Sequence, residues 1–433
     1  GCSALEHVDD LYSLTRLESG AFAHCASLVS VDCSDKLTFI GDNAFLNCTL
    51  LVSIGDLGSV TTIEYYAFAG CSSLERLEHL DNLLSLGEGV FGYGSHYTGC
   101  ISLKSIGDMP KLESMGQKCF VSCTTLETVG DLSSLKEIPY EAFDGCTSLV
   151  SIGDLNNVES IANEAFSNCS ALEHVDKLDK ITSIGQNAFK GCTALKSIGS
   201  LHNLETIGQG AFSGCSALEH VDDLYSLTRL EYDVFSHCVS LISVDCSDKL
   251  TAIGSSAFFG CKALVSIGDL SNVTSIESSV FRGCIALKSI GNMPKLESIG
   301  MQCFMGCTAL ETVGDLSSLK EIPSETFDGC TSLVSIGDLS NVTIIGSYGF
   351  NQCKKLTSIP NLSSLERVDQ FAFSGCESLA LLGNLRKLTS FGNSPFVNSP
   401  FHNCPNLVLE VLPDSAAEQY AKDYNMQYTY ITE

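Results

Sequence analysis

Cysteine is the residue type whose number and spacing first suggest chemistry in this chain. The 433 residues include 22 cysteines, and eighteen of these stand in register from Cys2 to Cys404, mostly at intervals of 23 residues. Equivalent side chains on stacked strands ~4.8 Å apart are near enough for disulfides but point the same way, and a cysteine inside a core acts as a small apolar residue. We therefore expect free, buried thiols. Positions in each repeat are counted below from this cysteine as position 1.

Metal binding is a second chemistry that the cysteines suggest. Two pairs have the closer spacing CxxxC, namely Cys119 with Cys123 and Cys303 with Cys307. A zinc site needs four converging ligands, usually from CxxC or paired histidines, and the sequence contains no CxxC. We expect no metal at either pair.

Histidine and aspartate recur in phase with the cysteines. His7, His174 and His220 each lie in the string LEHVD, and the closest two are separated by two repeats, so we expect solvated side chains rather than one site. Aspartate is common at position 9 after a glycine, as at Asp154 and Asp338. This pattern favours turns closed by the carboxylate, and cation binding along the stripe is the alternative.

Two sets of residues are candidates for ligand contact. Position 6 is Ser or Thr in twelve of seventeen units, which fits a solvated strand face or a hydroxyl-lined face that binds an extended protein or glycan; the candidates are Ser151, Ser266 and Ser335. An insertion near residues 92–97 adds aromatic residues in a loop, which either contact a ligand or are a tolerated loop; the candidates are Tyr93, His96 and Tyr97. A second insertion is expected near residues 396–401.

Composition and motifs exclude several classes of function. The net charge of -27 disfavours nucleic acid and anionic membranes, since phosphate binding needs clustered Lys and Arg. No run of about 20 apolar residues is present, so we expect no membrane insertion. Nucleophile elbow, Walker loop and dinucleotide motifs are absent from the sequence, and we expect neither catalysis nor a cofactor.

The 23-residue period decides the fold class. Position 4 is always leucine, positions 7, 13 and 16 are apolar, and position 21 is phenylalanine in seventeen complete units. Such a unit buries too little apolar surface alone, so units must stack with like residues in contact. We predict a curved right-handed solenoid of 23-residue coils over residues 1–404. A parallel β-sheet forms one face, and short strands with tight helices or turns form the other.

The motif Cys-x-x-Leu-x-x-Ile, followed by Leu-x-x-Ile-Gly-x-x-Ala-Phe-x-Gly-Cys, closely resembles the BspA-like, treponemal-type leucine-rich repeat, as in GCTALKSIGSLHNLETIGQGAFSGC at residues 191–215. The resemblance covers residues 1–404. It implies a surface or secreted protein associated with adhesion to host extracellular proteins. One departure is that position 9 is usually Asp and position 10 Leu, so the inward residue has moved by one. Cys33 and Cys246 at position 9 are nearer the family pattern.

Residues 405–433 leave the period and read as strand, helix and strand, with a capping box at Ser415 and Glu418. We expect a C-terminal β-α-β cap, because an open solenoid end exposes apolar coil and strand edge. The chain begins inside a repeat, which is consistent with a leader or N-terminal cap upstream.

Blocks of repeats also recur within the chain: residues 1–48 recur as 214–261, and 100–153 nearly unchanged as 284–337. A block of coils was therefore duplicated.

These observations lead to one principal functional hypothesis. We expect a non-enzymatic, extracellular or cell-surface scaffold that binds protein or glycan ligands, among them host extracellular matrix components. The alternative is a structural spacer or stalk that displays another domain. The oligomeric state does not follow from the sequence.

Overall fold

The computed structural model describes residues 1–92, 99–392 and 399–432 of the chain. It forms two compact units, Gly1–Asp223 and Leu224–Glu433. Each unit is a parallel β-solenoid in which every coil contributes two short strands to two separate columns. The predicted solenoid of stacked repeats is therefore confirmed.

The first strand column contains positions 6 and 7 of each repeat. In the first unit its strands are His7–Leu11, Ser30–Cys33, Ser53–Ile54, Arg76–Leu77, Ser105–Ile106, Thr128–Val129, Ser151–Ile152, His174–Val175 and Ser197–Ile198. The strand His220–Leu224 lies where the chain passes from one unit to the next. In the second unit the strands are Ser243–Cys246, Ser266–Ile267, Ser289–Ile290, Thr312–Val313, Ser335–Ile336, Ser358–Ile359, Leu381–Leu382, Val408–Val411 and Gln427–Tyr430.

The second strand column contains positions 15 and 16. Its strands in the first unit are Arg16–Leu17, Phe39–Ile40, Thr62–Ile63, Ser85–Leu86, Ser114–Met115, Glu137–Ile138, Ser160–Ile161, Ser183–Ile184 and Thr206–Ile207. Those in the second unit are Arg229–Leu230, Ala252–Ile253, Ser275–Ile276, Ser298–Ile299, Glu321–Ile322, Ile344–Ile345, Arg367–Val368 and Ser390–Phe391.

Pairing between coils is parallel and keeps equivalent positions opposite each other. Ser160 pairs with Ser183, and Ile161 with Ile184. Because successive side chains of a strand point to opposite faces, the isoleucine at position 16 is buried and the serine at position 15 faces outward. Each column therefore has an apolar inner side and a polar outer side.

The phenylalanines at position 21 form a stacked column inside each unit. In the first unit Phe143 lies 5.0 Å from Phe120 and 5.2 Å from Phe166, measured between ring centroids, and all three rings are fully buried. The second unit has an equivalent column of its own, in which Phe327 lies 5.3 Å from Phe304. Contact between equivalent side chains thus supplies much of the apolar burial of each coil.

The segment from position 18 to position 23 consists of turns rather than helix. Its residue at position 19 has left-handed backbone, with φ of 50° at Glu141 and 58° at Glu164, which cannot continue an α-helix. The N–H groups of Glu141 and Phe143 instead donate to the carbonyls of Asn163 and Ala165 in the next coil, at 3.1 and 2.8 Å. Of the two forms that the sequence allows, the turn is correct.

The cysteine column adds a contact that the repeat pattern does not reveal. Most of the buried thiols in register donate to the carbonyl oxygen of a phenylalanine 26 residues earlier, as Cys169 does to Phe143 at 3.1 Å and Cys330 does to Phe304 at 3.2 Å. All 22 cysteines are free thiols and twenty of them are buried. The cysteine is therefore both a small core residue and a weak hydrogen-bond donor to the turn.

Position 10 points inward in most coils, as the sequence predicts. Leu155 is fully buried, whereas Asp154 before it is half-buried. Cys33, at position 9 of its own coil, is also buried, at 6% exposure. The inward residue has therefore moved by one place, except where the pattern SVDC occurs.

The two insertions leave the phenylalanine column continuous. Phe91 and Phe120 lie 4.9 Å apart although six extra residues precede Cys100, whose N–H still donates to the Phe91 carbonyl at 2.9 Å. In the last coil Phe401 stacks on Phe373 at 6.0 Å, and the Phe373 N–H donates to the Pro400 carbonyl. Pro400 and Phe401 therefore belong to the repeat itself, and the extra residues of this coil precede Pro400.

Residues after the last repeat form a strand, the helix Ala416–Asp423 and a second strand. Val408–Val411 pairs in parallel with both Leu381–Leu382 and Gln427–Tyr430, so the segment extends the first column. The Ser415 hydroxyl accepts from the Glu418 N–H at 3.2 Å, which confirms one half of the predicted capping box, whereas the Ser415 N–H donates to the Leu412 carbonyl rather than to Glu418. No helix in residues 1–92, 99–392 and 399–432 is long and apolar enough to span a membrane.

The Glu418 carboxylate connects the elements of this C-terminal segment. It accepts from the Asp414 N–H at 2.7 Å and the Tyr430 hydroxyl at 2.7 Å, and it pairs with Lys422 at 2.7 Å. Lys422, Tyr430 and the Asp414 N–H lower the pKa of Glu418 to about 2. The ionised carboxylate therefore stabilises the folded segment near neutral pH.

Candidate binding grooves on the second strand column

The candidate serines of the first column are exposed but do not come together. Ser151 lies in the first unit, and Ser266 and Ser335 lie three coils apart in the second. Each follows an exposed valine in the identical string VSIGDL, and Val150 is 44% exposed. Shallow hollows lie beside two copies of this string, one of about 560 Å³ at Ile54–Leu57 and one of about 310 Å³ at Ile336–Leu339.

The candidate residues of the first insertion, Tyr93, His96 and Tyr97, lie outside the described residues. Their contact role stays a prediction. The structure brings a different set of residues together, on the outer side of the second column.

A groove of about 750 Å³ crosses five consecutive coils of the first unit, on the outer side of the second strand column. Its lining combines hydroxyls, side-chain amides, one carboxylate, one tyrosine and small or apolar groups. The residues are Met115, Gly116, Gln117, Glu137, Pro139, Tyr140, Ser160, Ile161, Ala162, Asn163, Ser183, Ile184, Gly185 and Thr206.

Small residues on consecutive coils create this groove. Position 15 is serine or threonine at Ser160, Ser183 and Thr206, so little side chain rises above the sheet. Position 17 is Ala162 in one coil and Gly185 in the next. A Cβ at Gly185 would lie 2.5 Å from the Asn163 backbone nitrogen, so close approach of the two coils requires glycine there.

Tyr140 forms the wall of the groove. The Lys118 ammonium lies 5.5 Å from its ring centroid and pairs with Glu141 at 3.6 Å. The neighbouring Glu141 carboxylate, with burial and other carboxylates nearby, raises the pKa of Tyr140 to about 12. The hydroxyl of Tyr140 is therefore neutral at physiological pH.

Amide and carboxyl groups border the floor. The Asn163 Oδ1 accepts from the Gln186 N–H at 2.7 Å, which fixes the orientation of this amide. Gln117 and Glu137 are exposed at the other end of the groove. Together with the hydroxyls they offer both donors and acceptors to a polar ligand.

The second unit has a smaller and more charged pocket on the same column. Its volume is about 480 Å³, and it is lined by Ser347, Arg367, Asp369, Gln370, Ser390, Phe391 and Gly392. Arg367 and Asp369 form a two-point ion pair with N···O distances of 3.0 and 3.2 Å. This pair occupies the place that Ser183 and Gly185 leave open in the first unit.

The other sequence candidates have structural partners. The Asp154 Oδ1 accepts from the Asn156 N–H at 2.9 Å, and the Asp338 Oδ1 from the Ser340 N–H at 2.9 Å, which confirms the predicted turns. His174 shares a hydrogen bond with the Ser197 hydroxyl of the next coil at 2.8 Å.

The CxxxC cysteines bond to different carbonyls. Cys119 donates to Gly87 and Cys123 to Phe91, at 3.0 and 3.6 Å. Burial raises the pKa of both thiols to about 12, which disfavours the thiolates that zinc requires. Among the described residues no group of three or more His, Cys, Asp or Glu side chains is arranged to hold a metal ion.

Comparison with known proteins agrees with this architecture. The sequence matches the BspA type leucine rich repeat region, in six copies, over residues 1–127, 94–196, 182–311 and 297–408. The chain belongs to the BspA-type leucine-rich repeat family. It is a leucine-rich repeat scaffold, and no curated protein matches it.

Two solved structures resemble this BspA-type protein. A leucine-rich repeat protein from Bacteroides ovatus ATCC 8483 is 26% identical, with a TM-score of 0.69 over 83% of this chain and 92% of the other. A leucine rich cell surface protein from Faecalibacterium prausnitzii A2-165 is 28% identical, with a TM-score of 0.43 over 75% and 83% of the two chains.

Sequence reasoning missed the groove because it searched the first column. The signal was present as Ser or Thr at position 15 and Gly or Ala at position 17 in neighbouring repeats, interrupted by Glu137 and Pro139, with Tyr140 at position 18. Positions 15, 17 and 18, compared across repeats rather than along the chain, locate both the floor and the wall.

Proposed function

We propose that this BspA-type protein is an extracellular binding scaffold that holds an extended protein or glycan ligand along its second strand column. The single observation that carries the proposal is the groove across five coils, with its hydroxyl floor and Tyr140 wall. Ordered concave sites with a few polar groups and an aromatic residue are typical of binding surfaces. The ligand class includes host extracellular matrix proteins and mucins.

The cysteines are compatible with a location outside the cell, at the surface or secreted. The thiolate is the species that oxidises, and exposed thiols pair in oxidising compartments. Burial raises the pKa of Cys146 and Cys330 well above the ordinary value for a thiol, so their thiolate fraction is very small. Free thiols in this column can therefore persist in an oxidising environment.

The proposal can be tested with the full chain immobilised on a biosensor surface. Gastric mucin, collagen, laminin and fibronectin would be passed over it, and saturable binding to at least one is expected. Ser183→Arg puts an arginine into the groove and should abolish that binding. Ser275→Arg places the same residue at position 15 of a coil that does not line either pocket, and should leave binding unchanged.

Two further results would distinguish the first strand column from the second as the binding surface, and a binding scaffold from a spacer. Loss of binding in Ser151→Arg, with Ser183→Arg unaffected, would assign recognition to the first column instead. Absence of saturable binding to every probe would contradict the proposal and favour the spacer, for which chain length matters and surface residues do not.

A further inference from the structure

We propose that the groove beside Tyr140 binds a neutral oligosaccharide in extended conformation, an inference that rests on the proposed binding function. The groove runs across the strands from the coil of Met115 to that of Thr206. Four steps of ~4.8 Å give a length of roughly 19 Å, enough for several sugar rings in a row. The hydroxyls, amides and tyrosine described above are the groups that recognise such a ligand.

Hydroxyl and amide side chains suit sugar hydroxyls because each offers donor and acceptor atoms. Ser160 and Ser183 are half-buried at equivalent positions of paired strands, so they present the same group at each step. Thr206 continues the row in the following coil, and Asn163, in the coil of Ser160, also lines the groove. A ligand with hydroxyls repeating along its length matches this regular floor.

Tyr140 supplies the apolar contact that sugars require. A sugar ring has a face of C–H groups, and a tyrosine ring offers a large apolar surface with a polar tip. The Lys118 ammonium already lies over the ring of Tyr140, 5.5 Å from its centroid, so part of the ring's conformational freedom is lost before a ligand binds.

Charge argues for a neutral ligand. The chain carries a net charge of -27, which repels uronic, sulfated or sialylated chains at long range. The groove lining itself has only one charged side chain, Glu137, so it lacks the counter-charges that a polycation would need.

The same lining argues against a peptide. Extended peptides bind by adding a strand to a sheet edge or by filling apolar pockets. This groove crosses the strands instead of following an edge. The side chains of Ile161 and Ile184 are buried, at 1% and 2% exposure, so these residues form no apolar pocket for a peptide side chain.

The equivalent coils of the second unit lack several of these features. At an offset of 184 residues, Ser324 is equivalent to Tyr140, Ile344 to Ser160 and Arg367 to Ser183. The second unit therefore loses the aromatic wall and two hydroxyls, and gains the Arg367–Asp369 ion pair. We expect neutral saccharide binding in the first unit and none at the equivalent place in the second.

The test is isothermal titration of the full chain with defined probes. The neutral probes are the hexamers of cellulose, mannan, xylan, chitin and amylose, with hexagalacturonate as the anionic probe and uncharged decapeptides of Ser, Thr and Ala as the peptide probes. At least one neutral hexamer should bind with a stoichiometry of one. Tyr140→Ser should weaken it at least tenfold, Tyr140→Phe should retain most of the affinity, and Ser183→Arg should abolish binding.

Four results would overturn the inference. These are no binding of any neutral hexamer, binding unchanged by both Tyr140→Ser and Ser183→Arg, tighter binding of hexagalacturonate, or a peptide bound in a Tyr140-dependent way. Thermal unfolding of each variant checks that the fold is intact. If every saccharide fails while a matrix protein still binds in a Ser183-dependent way, this inference fails and the proposed function stands.

Discussion

The two copies of the duplicated block, residues 100–153 and 284–337, share a frame and differ in the surface that they present. Ten of their 54 aligned residues differ. Seven of the ten lie at positions 16 to 23, which include part of the second column and the turn that follows it. The first-column strings KSIG and ETVG are identical in both copies.

The interiors of the two copies are physically equivalent. Phe143 and Phe327 are both fully buried, and their contacts to the preceding ring are 5.0 and 5.3 Å. Their outer faces are not equivalent, because Tyr140 is replaced by Ser324. Since each coil contacts only its neighbours, the outward residues can change while the stack is kept.

A second duplicated pair shows how one substitution redirects a charged side chain. In residues 1–48 the Arg16 guanidinium stacks on Phe39, 3.7 Å from its ring centroid. In the copy at 214–261, Ala252 replaces the phenylalanine. Arg229 extends past Ala252 to Glu277, with an N···O distance of 2.8 Å. Removal of one ring therefore converts a stacking contact into an ion pair across two coils.

Truncation of the phenylalanine column should have the largest effect, and it should be equal in the two copies. Phe143→Ala and Phe327→Ala each remove a fully buried ring, which costs about 3–5 kcal/mol. Unfolding of a long repeat array need not be two-state, so local stability is best measured by hydrogen exchange with mass spectrometry. A loss in one copy without the other would contradict the equivalence of the interiors.

Substitution of the glycine at position 8 should have the second-largest effect on stability. A Cβ at Gly153 would collide with the Gly130 carbonyl oxygen, and one at Gly337 with that of Gly314. Alanine at either place should cost about 1–3 kcal/mol of local stability. Gly291→Ala is the matched control, because nothing lies within 4 Å of its Cβ position, and its exchange rates should stay close to those of the parent. A Gly291→Ala loss as large as the other two would refute the steric explanation.

The two arginine contacts should be weaker and should respond differently to salt. Arg229→Met removes the ion pair with Glu277, between side chains that are 43% and 45% exposed, and a second ion pair with Glu231 at 3.1 Å, each worth about 0.2–1 kcal/mol. Arg16→Met removes a cation–π contact worth about 0.5–1 kcal/mol and one longer, more exposed ion pair with Glu18 at 3.5 Å. Thermal unfolding in low and high salt should show that 1 M NaCl reduces the Arg229 effect more than the Arg16 effect. The opposite order would show that the contacts have been assigned wrongly.

The smallest effect concerns a matched pair of aspartates, and it depends on pH. Burial raises the pKa of Asp144 and of Asp328 above the ordinary 3.8, against hydrogen bonds from Asn168 and Asn351. When the pKa of an acid is higher in the folded than in the unfolded protein, its burial destabilises the fold least at a pH below the unfolded pKa. The free energy of unfolding then falls as the pH rises through the folded pKa.

Asp144→Asn and Asp328→Asn should therefore each stabilise the fold slightly at pH 7 and have no such benefit at pH 3. Thermal unfolding at both pH values checks this. A gain that is independent of pH, or present in only one copy, would contradict the account.

The sequence predicted the interior well for a physical reason. An apolar residue that occurs at the same position of every repeat, such as Phe143 or Phe166, is expected to be buried. Repeats that are too small to fold alone must stack on one another. Predictions of the Asp154 turn and the Ser415 cap succeeded because those hydrogen bonds span only two or three residues.

Features that depend on neighbouring coils were harder to predict. The groove depends on Ser160 and Ser183, 23 residues apart, being small at the same time, and neither is unusual in its own repeat. The thiol of Cys169 reaches a carbonyl 26 residues away. Positions 18 to 23 form turns because their N–H groups donate to the next coil. Local helix propensity carries no information about these hydrogen bonds.

The two copies share an interior, and we propose that the recognition groove lies in the first unit. A reciprocal exchange of groove residues between the two units tests this proposal. One chain carries Tyr140→Ser, Ser160→Ile and Ser183→Arg, and the other carries Ser324→Tyr, Ile344→Ser and Arg367→Ser. Both are titrated on the biosensor with the mucin or matrix protein that the parent binds, and their thermal unfolding is compared. We predict that the first chain loses binding, that the second retains it, and that both unfold within a few degrees of the parent. Undiminished binding by the first chain would contradict the proposal.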